Sequence, residues 1–146
     1  RWPDNSCFQN SVKKLKDEII SILNKDESLK KITLIGHSYG GILVTQLLKD
    51  WNLRTPIETH VIASPLLGNS MLNSMCDYKA ISVIPKKSVL YEWRTQYQLD
   101  NVFKDLNEDP QSIELNGSLV TILPDTYKGN RLGHNWSISW VADEAF

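Results

Sequence analysis

The sequence predicts an α/β fold, a three-layer αβα sandwich around a mostly parallel sheet. Short apolar runs rich in β-branched residues alternate along the chain with longer segments of helical length. Hydrophobic residues make up 41% of the 146 residues, which is enough material for the core of one domain of this size. Because no repeat, low-complexity tract or linker divides the chain, we expect a single domain over residues 1–146.

The helices are predicted from the spacing of apolar residues. Residues 11–30 carry them at helical intervals, with lysines and acids on the other face. Residues 39–51, YGGILVTQLLKDW, are apolar over a helical length and end at the polar NLRTP. Residues 69–82 and 100–114 are mixed segments, each able to hold a short helix. Residues 134–146 predict a closing helix.

The strands are predicted from short apolar runs that end at turn-forming residues. They are KITLIG at 31–36, IETHVIAS at 57–64, SVLYEWRTQYQ at 88–98 and SLVTILP at 118–124. Strands that alternate with helices usually form a parallel sheet covered on both faces. We therefore expect the carboxyl ends of these strands to share one edge of the sheet.

Charge and hydropathy exclude several classes of partner. The formal net charge is −1, so no basic field is available for nucleic acid or for an anionic membrane surface. No apolar run approaches the roughly 20 residues that span a bilayer, and residues 1–10 do not resemble a secretion signal. We expect a soluble domain with no nucleic-acid partner and no transmembrane segment. The cytoplasm is the favoured compartment, and the oligomeric state is left open.

Two cysteines, Cys7 and Cys76, lie far apart in the sequence and have no histidine at metal-ligand spacing. We interpret them as two buried thiols, in preference to a disulfide. The chain has neither a G-x-G-x-x-G pattern nor a glycine-rich loop ending in G-K-S/T. No cofactor and no metal are therefore expected.

The stretch GHSYG fits the pattern G-x-S-x-G, with a predicted strand before it and a predicted helix after it. Such a turn holds its serine, here Ser38, at a strained positive φ with an exposed hydroxyl. Gly36 and Gly40 would clear space between strand and helix, and Gly41 would widen it. The backbone N–H of Tyr39, at the helix start, is the predicted oxyanion donor. A packing turn with an idle serine, or a phosphate-binding turn, is the alternative.

A serine nucleophile needs a histidine as general base, and the chain has three histidines. His37 should point away from Ser38 and act as a packing or hydrogen-bonding residue. His60 lies within a strand, which indicates a structural role. His134 follows the last strand of the sheet and is the predicted base, because catalytic groups gather at the carboxyl edge of parallel sheets.

The carboxylate that orients this histidine is predicted from chain order. Asp100 directly follows the third strand, whereas Asp125 follows the fourth. Asp77 and Glu92 are more distant options. The order serine, acid, histidine, with the acid one strand before the histidine, favours Asp100 over Asp125.

With GHSYGG, Asp100 and His134 in this order, the chain resembles the α/β-hydrolase superfamily, and most closely its small lipase-like and esterase-like members without a large lid. The segment ASPLLGNS also matches a pattern common in these families after the next strand. The resemblance implies a serine hydrolase that cleaves small-molecule carboxylic esters, with thioesters and lipids as further candidates. Ser38 would attack the carbonyl, His134 would transfer the proton, and Asp100 would hold the imidazole.

The resemblance also implies parts that precede the nucleophile. Such hydrolases usually have several strands and a first oxyanion donor before the serine, but only 37 residues precede Ser38. We expect the chain to be the carboxyl-terminal part of a longer domain, without its first strands. The alternative function is a non-catalytic binding or scaffold domain that retains the fold, and an acyltransferase with the same triad is a third hypothesis. Residues 65–75, PLLGNSMLNSM, could line an acyl pocket or form an ordinary buried helix.

Overall fold

The computed structural model describes residues 7–146. Its helices are α1 (Gln9–Lys25), α2 (Tyr39–Lys49), α3 (Ser70–Met75) and α4 (Trp136–Ala145), with a short 3-10 helix at Tyr97–Leu99. Its strands are β1 (Ile32–His37), β2 (Ile57–Ile62), β3 (Ser88–Arg94), β4 (Leu119–Ile122), β5 (Thr126–Tyr127) and β6 (Asn130–Arg131). Strands β1 to β4 form a parallel sheet in that order, and β5 pairs with β6 in an antiparallel hairpin. The predicted α/β class and mostly parallel sheet are confirmed.

Helices cover both faces of the sheet. Val61 packs in one core cluster with Leu47 and Leu48 of α2, and α1 adds Ile19 to the same cluster. The next strand residue, Ile62, packs in a separate cluster with residues that include Val141 of α4. Because neighbouring strand residues point to opposite faces, α2 and α4 lie on opposite sides of the sheet. This arrangement is the predicted three-layer sandwich.

The carboxyl ends of the strands are joined by backbone hydrogen bonds along one edge. These bonds run from Ser38 N to Ile62 O, from Ala63 N to Trp93 O and from Leu123 N to Arg94 O. Side chains that follow β1, β3 and β4 therefore emerge close to one another, as catalytic groups do in parallel sheets.

One local prediction differs from the structure, and one element was not predicted. The segment 100–114 forms turns rather than a short helix, because the carboxylates of Asp100 and Asp109 accept backbone N–H bonds from Val102 and Gln111 two residues later. These local bonds compete with helix formation. The β5–β6 hairpin was not predicted. Its two-residue turn has positive φ at residues 128 and 129, a lysine and a glycine.

Cys7 and Cys76 form a disulfide, so the interpretation as two buried thiols is wrong. The bridge ties Cys7, two residues before the start of α1, to Cys76, the residue that follows α3. It lies beside a core cluster of Phe8, Leu72 and Tyr78 that brings the two segments together. Spacing alone did not reveal this contact, because it depends on how α1 and α3 pack. Disulfides persist mainly in oxidising compartments, which counts against the preference for the cytoplasm.

Candidate active site

Ser38 lies between β1 and α2 with φ 53° and ψ −126°, a strained conformation for a residue with a side chain. The serine is partly exposed. A Cβ on Gly36 would lie only 2.5 Å from the carbonyl oxygen of Gly40, so the close approach of strand and helix requires glycine there. The predicted strained turn is confirmed.

Of the two glycines that follow, Gly40 differs from the prediction and Gly41 agrees with it. A Cβ on Gly40 would meet no atom of residues 7–146 within 4 Å, so the prediction that Gly40 clears space with its missing side chain is wrong. A Cβ on Gly41 would lie 1.8 Å from the Ser64 hydroxyl oxygen. The predicted clearance at Gly41 is confirmed, and it lies where the first turn of α2 meets the loop after β2.

The structure brings Asp100 and His134 together at the carboxyl edge of the sheet. The distance from His134 Nδ1 to Asp100 Oδ2 is 3.0 Å, and both residues are buried. Burial alone would raise the pKa of Asp100, but hydrogen bonds from His134, the Thr95 hydroxyl and the Val102 N–H outweigh it and lower the pKa. Asp100 is therefore an ionised carboxylate well suited to orient an imidazole.

The other candidate acids lie elsewhere. Asp125 is exposed, and its side chain makes no hydrogen bond to His134. Asp77 is also exposed and pairs with Lys79. Glu92 is buried in a salt bridge with Arg94, at 2.7 Å. Of the four acids considered, Asp100 is the one in contact with His134.

The contact with Asp100 determines the tautomer of His134. An ionised carboxylate only accepts hydrogen bonds, so Nδ1 carries the proton and donates it. The lone pair is then on Nε2, which makes no hydrogen bond to another residue in the described part of the chain. His134 is therefore oriented as a base that can accept a proton on Nε2.

His37 connects the base to the turn that carries the serine. Its Nε2 lies 3.0 Å from the backbone carbonyl of His134, and since a carbonyl only accepts, His37 donates. The two imidazole rings are 4.6 Å apart. Burial is the main cause that lowers the pKa of His37, so the neutral form is favoured. The expected hydrogen-bonding role is confirmed, and it places the His134 loop against the residue next to Ser38.

The hydroxyl of Ser38 makes no hydrogen bond to any residue between 7 and 146. Catalytic hydrogen bonds are often long without substrate and shorten when it binds. Ser38 follows His37, whose ring lies 4.6 Å from that of His134, so the strained turn and the oriented imidazole lie at the same edge of the sheet, as a serine nucleophile and its base require.

Two further residues hold the acid, and the sequence analysis did not identify them. Thr95 Oγ1 lies 2.6 Å from Asp100 Oδ2 and 3.1 Å from Gln111 Oε1, so its single proton goes to the closer carboxylate. The Gln111 amide in turn accepts from Thr95 N–H and donates to Thr95 C=O. Thr95 follows β3 directly, which is a usable signal, whereas Gln111 lies in a loop without a recognisable pattern.

Tyr39 is the first residue of α2, and the helix follows Ser38 without a gap. The N–H groups of a first helical turn lack carbonyl partners within the helix, and the helix dipole favours negative charge at this end. The position is thus suitable for the predicted oxyanion donor. The phenol of Tyr39 accepts a hydrogen bond from Asn69, at 2.8 Å, which links the turn to the N-cap of α3.

The residues of segment 65–75, suggested as the lining of an acyl pocket or as a buried helix, differ in their exposure. Leu66 and Leu72 are buried in core clusters, whereas Met71 and Met75 are 56% and 76% exposed. A cavity of about 230 Å³ opens beside His134. Between residues 7 and 146, no group of side chains has the composition of a metal site, and no helix is long and apolar enough to cross a membrane.

Residues 3–91 match a family described as alpha/beta hydrolase of unknown function (DUF900). The match includes Ser38 and ends before Asp100 and His134. No curated protein and no solved structure matches the chain. The match covers more than half of the chain and agrees with its fold, and the chain therefore belongs to this alpha/beta hydrolase family.

Proposed function

We propose that the protein is a serine hydrolase that cleaves carboxylic esters through an acyl-enzyme on Ser38. The observation that carries the proposal is the buried Asp100–His134 pair at the same sheet edge as a serine with positive φ. The pair supplies an oriented base, and the turn supplies an exposed hydroxyl. Thioesters share this chemistry and are included in the proposal.

In the proposed acylation step, Ser38 Oγ attacks the ester carbonyl while His134 Nε2 takes the hydroxyl proton. Asp100 stabilises the imidazolium that forms. The Tyr39 N–H at the start of α2 stabilises the tetrahedral oxyanion. His134 then returns the proton to the leaving alcohol, and the C–O bond to the alcohol breaks.

Deacylation repeats these steps with water as the nucleophile. His134 takes a proton from the water, and the hydroxide adds to the acyl carbonyl. The proton returns to Ser38 Oγ as the acyl-enzyme bond breaks. The products are a carboxylic acid and an alcohol, and the serine is regenerated.

A fluorophosphonate probe tests the proposal in the full-length protein. We expect stoichiometric labelling of the wild type, no labelling of Ser38→Ala and strongly reduced labelling of His134→Ala. Ser74→Ala is the matched control, because Ser74 is an exposed serine on α3 outside the candidate site. Folded wild-type protein that resists the probe would contradict the proposal and favour a non-catalytic binding domain.

A further inference from the structure

The cavity of about 230 Å³ beside His134 is not used by the proposed proton transfers. Its lining includes the base itself and residues from the segment after β3, from β6 and from the start of α4. They are Asn101, Val102, Arg131, His134, Asn135 and Trp136. A molecule in this cavity would therefore be in contact with the base.

Arg131 brings a positive charge to the cavity. No carboxylate in residues 7–146 lies within ion-pair distance of it. Its guanidinium donates to the amide oxygen of Asn101, a neutral partner that holds the group without cancelling its charge. By contrast, Arg94 pairs with Glu92, and Lys128 pairs with Asp143.

A second feature of the cavity also favours negative charge. Asn135 and Trp136 are the N-cap and the first residue of α4, a helix of 10 residues. The positive end of the helix dipole therefore points toward the cavity, together with the guanidinium. Val102 and the partly exposed ring of Trp136 add apolar wall for a short carbon chain.

We propose that this cavity is a substrate subsite for an anionic group, so that the preferred substrates are esters that also carry a carboxylate or a phosphate. The inference rests on the proposed function, because it assigns the subsite to the ester cleaved at Ser38. Guanidinium forks bind planar carboxylates and phosphates through paired hydrogen bonds. The two anions share this chemistry, and the experiment separates them.

The test compares p-nitrophenyl butyrate with p-nitrophenyl hemisuccinate, and each with a phosphate-bearing ester of similar length. We expect the wild type to prefer an anionic ester in kcat/KM by roughly 10- to 100-fold, the range for hydrogen bonds to a charged group. In Arg131→Gln, the ratio of kcat/KM for the anionic ester to kcat/KM for the neutral ester should fall toward one, mainly because KM for the anionic ester rises. Arg131→Lys should retain part of the preference. The anionic ester with the higher kcat/KM relative to the neutral ester shows whether the subsite prefers a carboxylate or a phosphate.

Lys128→Gln is the matched control, because it removes a cation from the same hairpin that already has a carboxylate partner. It should leave kcat/KM for both the anionic and the neutral ester unchanged, and so also their ratio. A wild type without preference for either anion, or a ratio that Arg131→Gln leaves intact, would overturn the subsite.

A binding measurement keeps this result separate from the proposed function. Trp136 lines the cavity, so its fluorescence should respond to monomethyl succinate or phenyl phosphate, with Trp136→Phe as the signal control. We expect Arg131→Gln to weaken this binding at least about 10-fold. If Ser38 takes the probe but neither anion binds or is preferred, the subsite alone is wrong. If anions bind through Arg131 but Ser38 never reacts, the hydrolase proposal is wrong and the anion site stands.

Discussion

Two histidine–carboxylate pairs in the molecule have almost the same geometry and different surroundings. His134 Nδ1 lies 3.0 Å from Asp100, and His60 Nε2 lies 3.1 Å from Glu58. Both histidines are buried, at 8% and 4% exposure. Distance to a carboxylate therefore does not distinguish a candidate base from a structural histidine.

The second ring nitrogen makes the difference. His60 Nδ1 accepts a hydrogen bond from the Trp93 indole N–H at 3.1 Å, so both of its nitrogens are engaged. Its ring also stacks on Tyr91, with centroids 4.6 Å apart. His134 Nε2 has no such partner among residues 7–146, and its ring lines a cavity. A histidine whose second nitrogen is free at an open site is the better candidate for a base.

The largest expected effect separates these two histidines directly. His134→Gln should lower kcat/KM by roughly 10³-fold with little change in melting temperature, because a general base is lost. His60→Gln should lower the melting temperature and leave the activity per folded molecule unchanged, because only packing and structural hydrogen bonds are altered. Ester kinetics and thermal unfolding on both variants measure this. Equal kinetic losses in the two variants would contradict the distinction.

Removal of the disulfide tests stability away from both pairs. The bridge joins cysteines 69 residues apart, so Cys7→Ser/Cys76→Ser should lose about 4 kcal/mol of unfolding free energy from the larger freedom of the unfolded chain. Activity under conditions where the variant is folded should persist, since the bridge touches neither pair. Denaturant unfolding gives the free energy, and wild type in reducing agent is the matched comparison. Unchanged stability would show that the bridge does not form in solution.

A smaller effect is expected from the residues that support each carboxylate–histidine pair. Thr95→Val removes a proton donor from Asp100 and should lower kcat roughly 10-fold, with KM little changed, as for loss of a hydrogen bond to a charged group. Thr95→Ser keeps the hydroxyl and should restore the rate. Trp93→Phe removes the equivalent donor from His60 and should leave kcat unaffected. A rate loss in Thr95→Ser as large as in Thr95→Val would rule out the hydroxyl as the cause.

The smallest effect concerns the pH dependence of stability. The pKa of His37 is lowered in the folded state, so the unfolded chain binds more protons on this group. Its contribution is fully present above the unfolded pKa of about 6.5 and is lost as pH falls through the lower folded value. Between these two pKa values, stability falls as the pH falls. His37→Gln should therefore make this fall in unfolding free energy less steep. The urea midpoints of wild type and His37→Gln, measured from about pH 7.5 down through the acid range, check this. We expect the midpoint of wild type minus that of His37→Gln to rise as the pH rises toward about 6.5, and a fall over this range would contradict it.

Much of the fold and part of the candidate site followed from local sequence patterns. The apolar runs around GHSYG predicted β1 and α2 nearly to the residue, because a strand and helix that meet at glycines leave little freedom. Chain order pointed to Asp100, because parallel topology returns each strand end to the same edge. The geometry agrees with that choice over Asp125.

The rest depends on contacts between distant segments. Gln111 supports Thr95 from 16 residues away, in a loop without periodicity. The disulfide depends on how α1 packs against α3. Clearance at Gly41 was predicted, but the residue that needs it, Ser64, lies in the loop after β2. None of these contacts produces a recognisable pattern of residue spacing, so the sequence alone could not predict them.

The most direct measurement of the central claim is the covalent intermediate itself. The full-length protein is mixed with p-nitrophenyl acetate, quenched in acid and digested, and the acetylated peptide is located by mass spectrometry. We expect one acetyl group on Ser38 in the wild type and in His60→Gln, and none in His134→Gln. Folded wild-type protein without acetyl on Ser38, or with acetyl only on another residue, would contradict the assignment of Ser38 as the nucleophile.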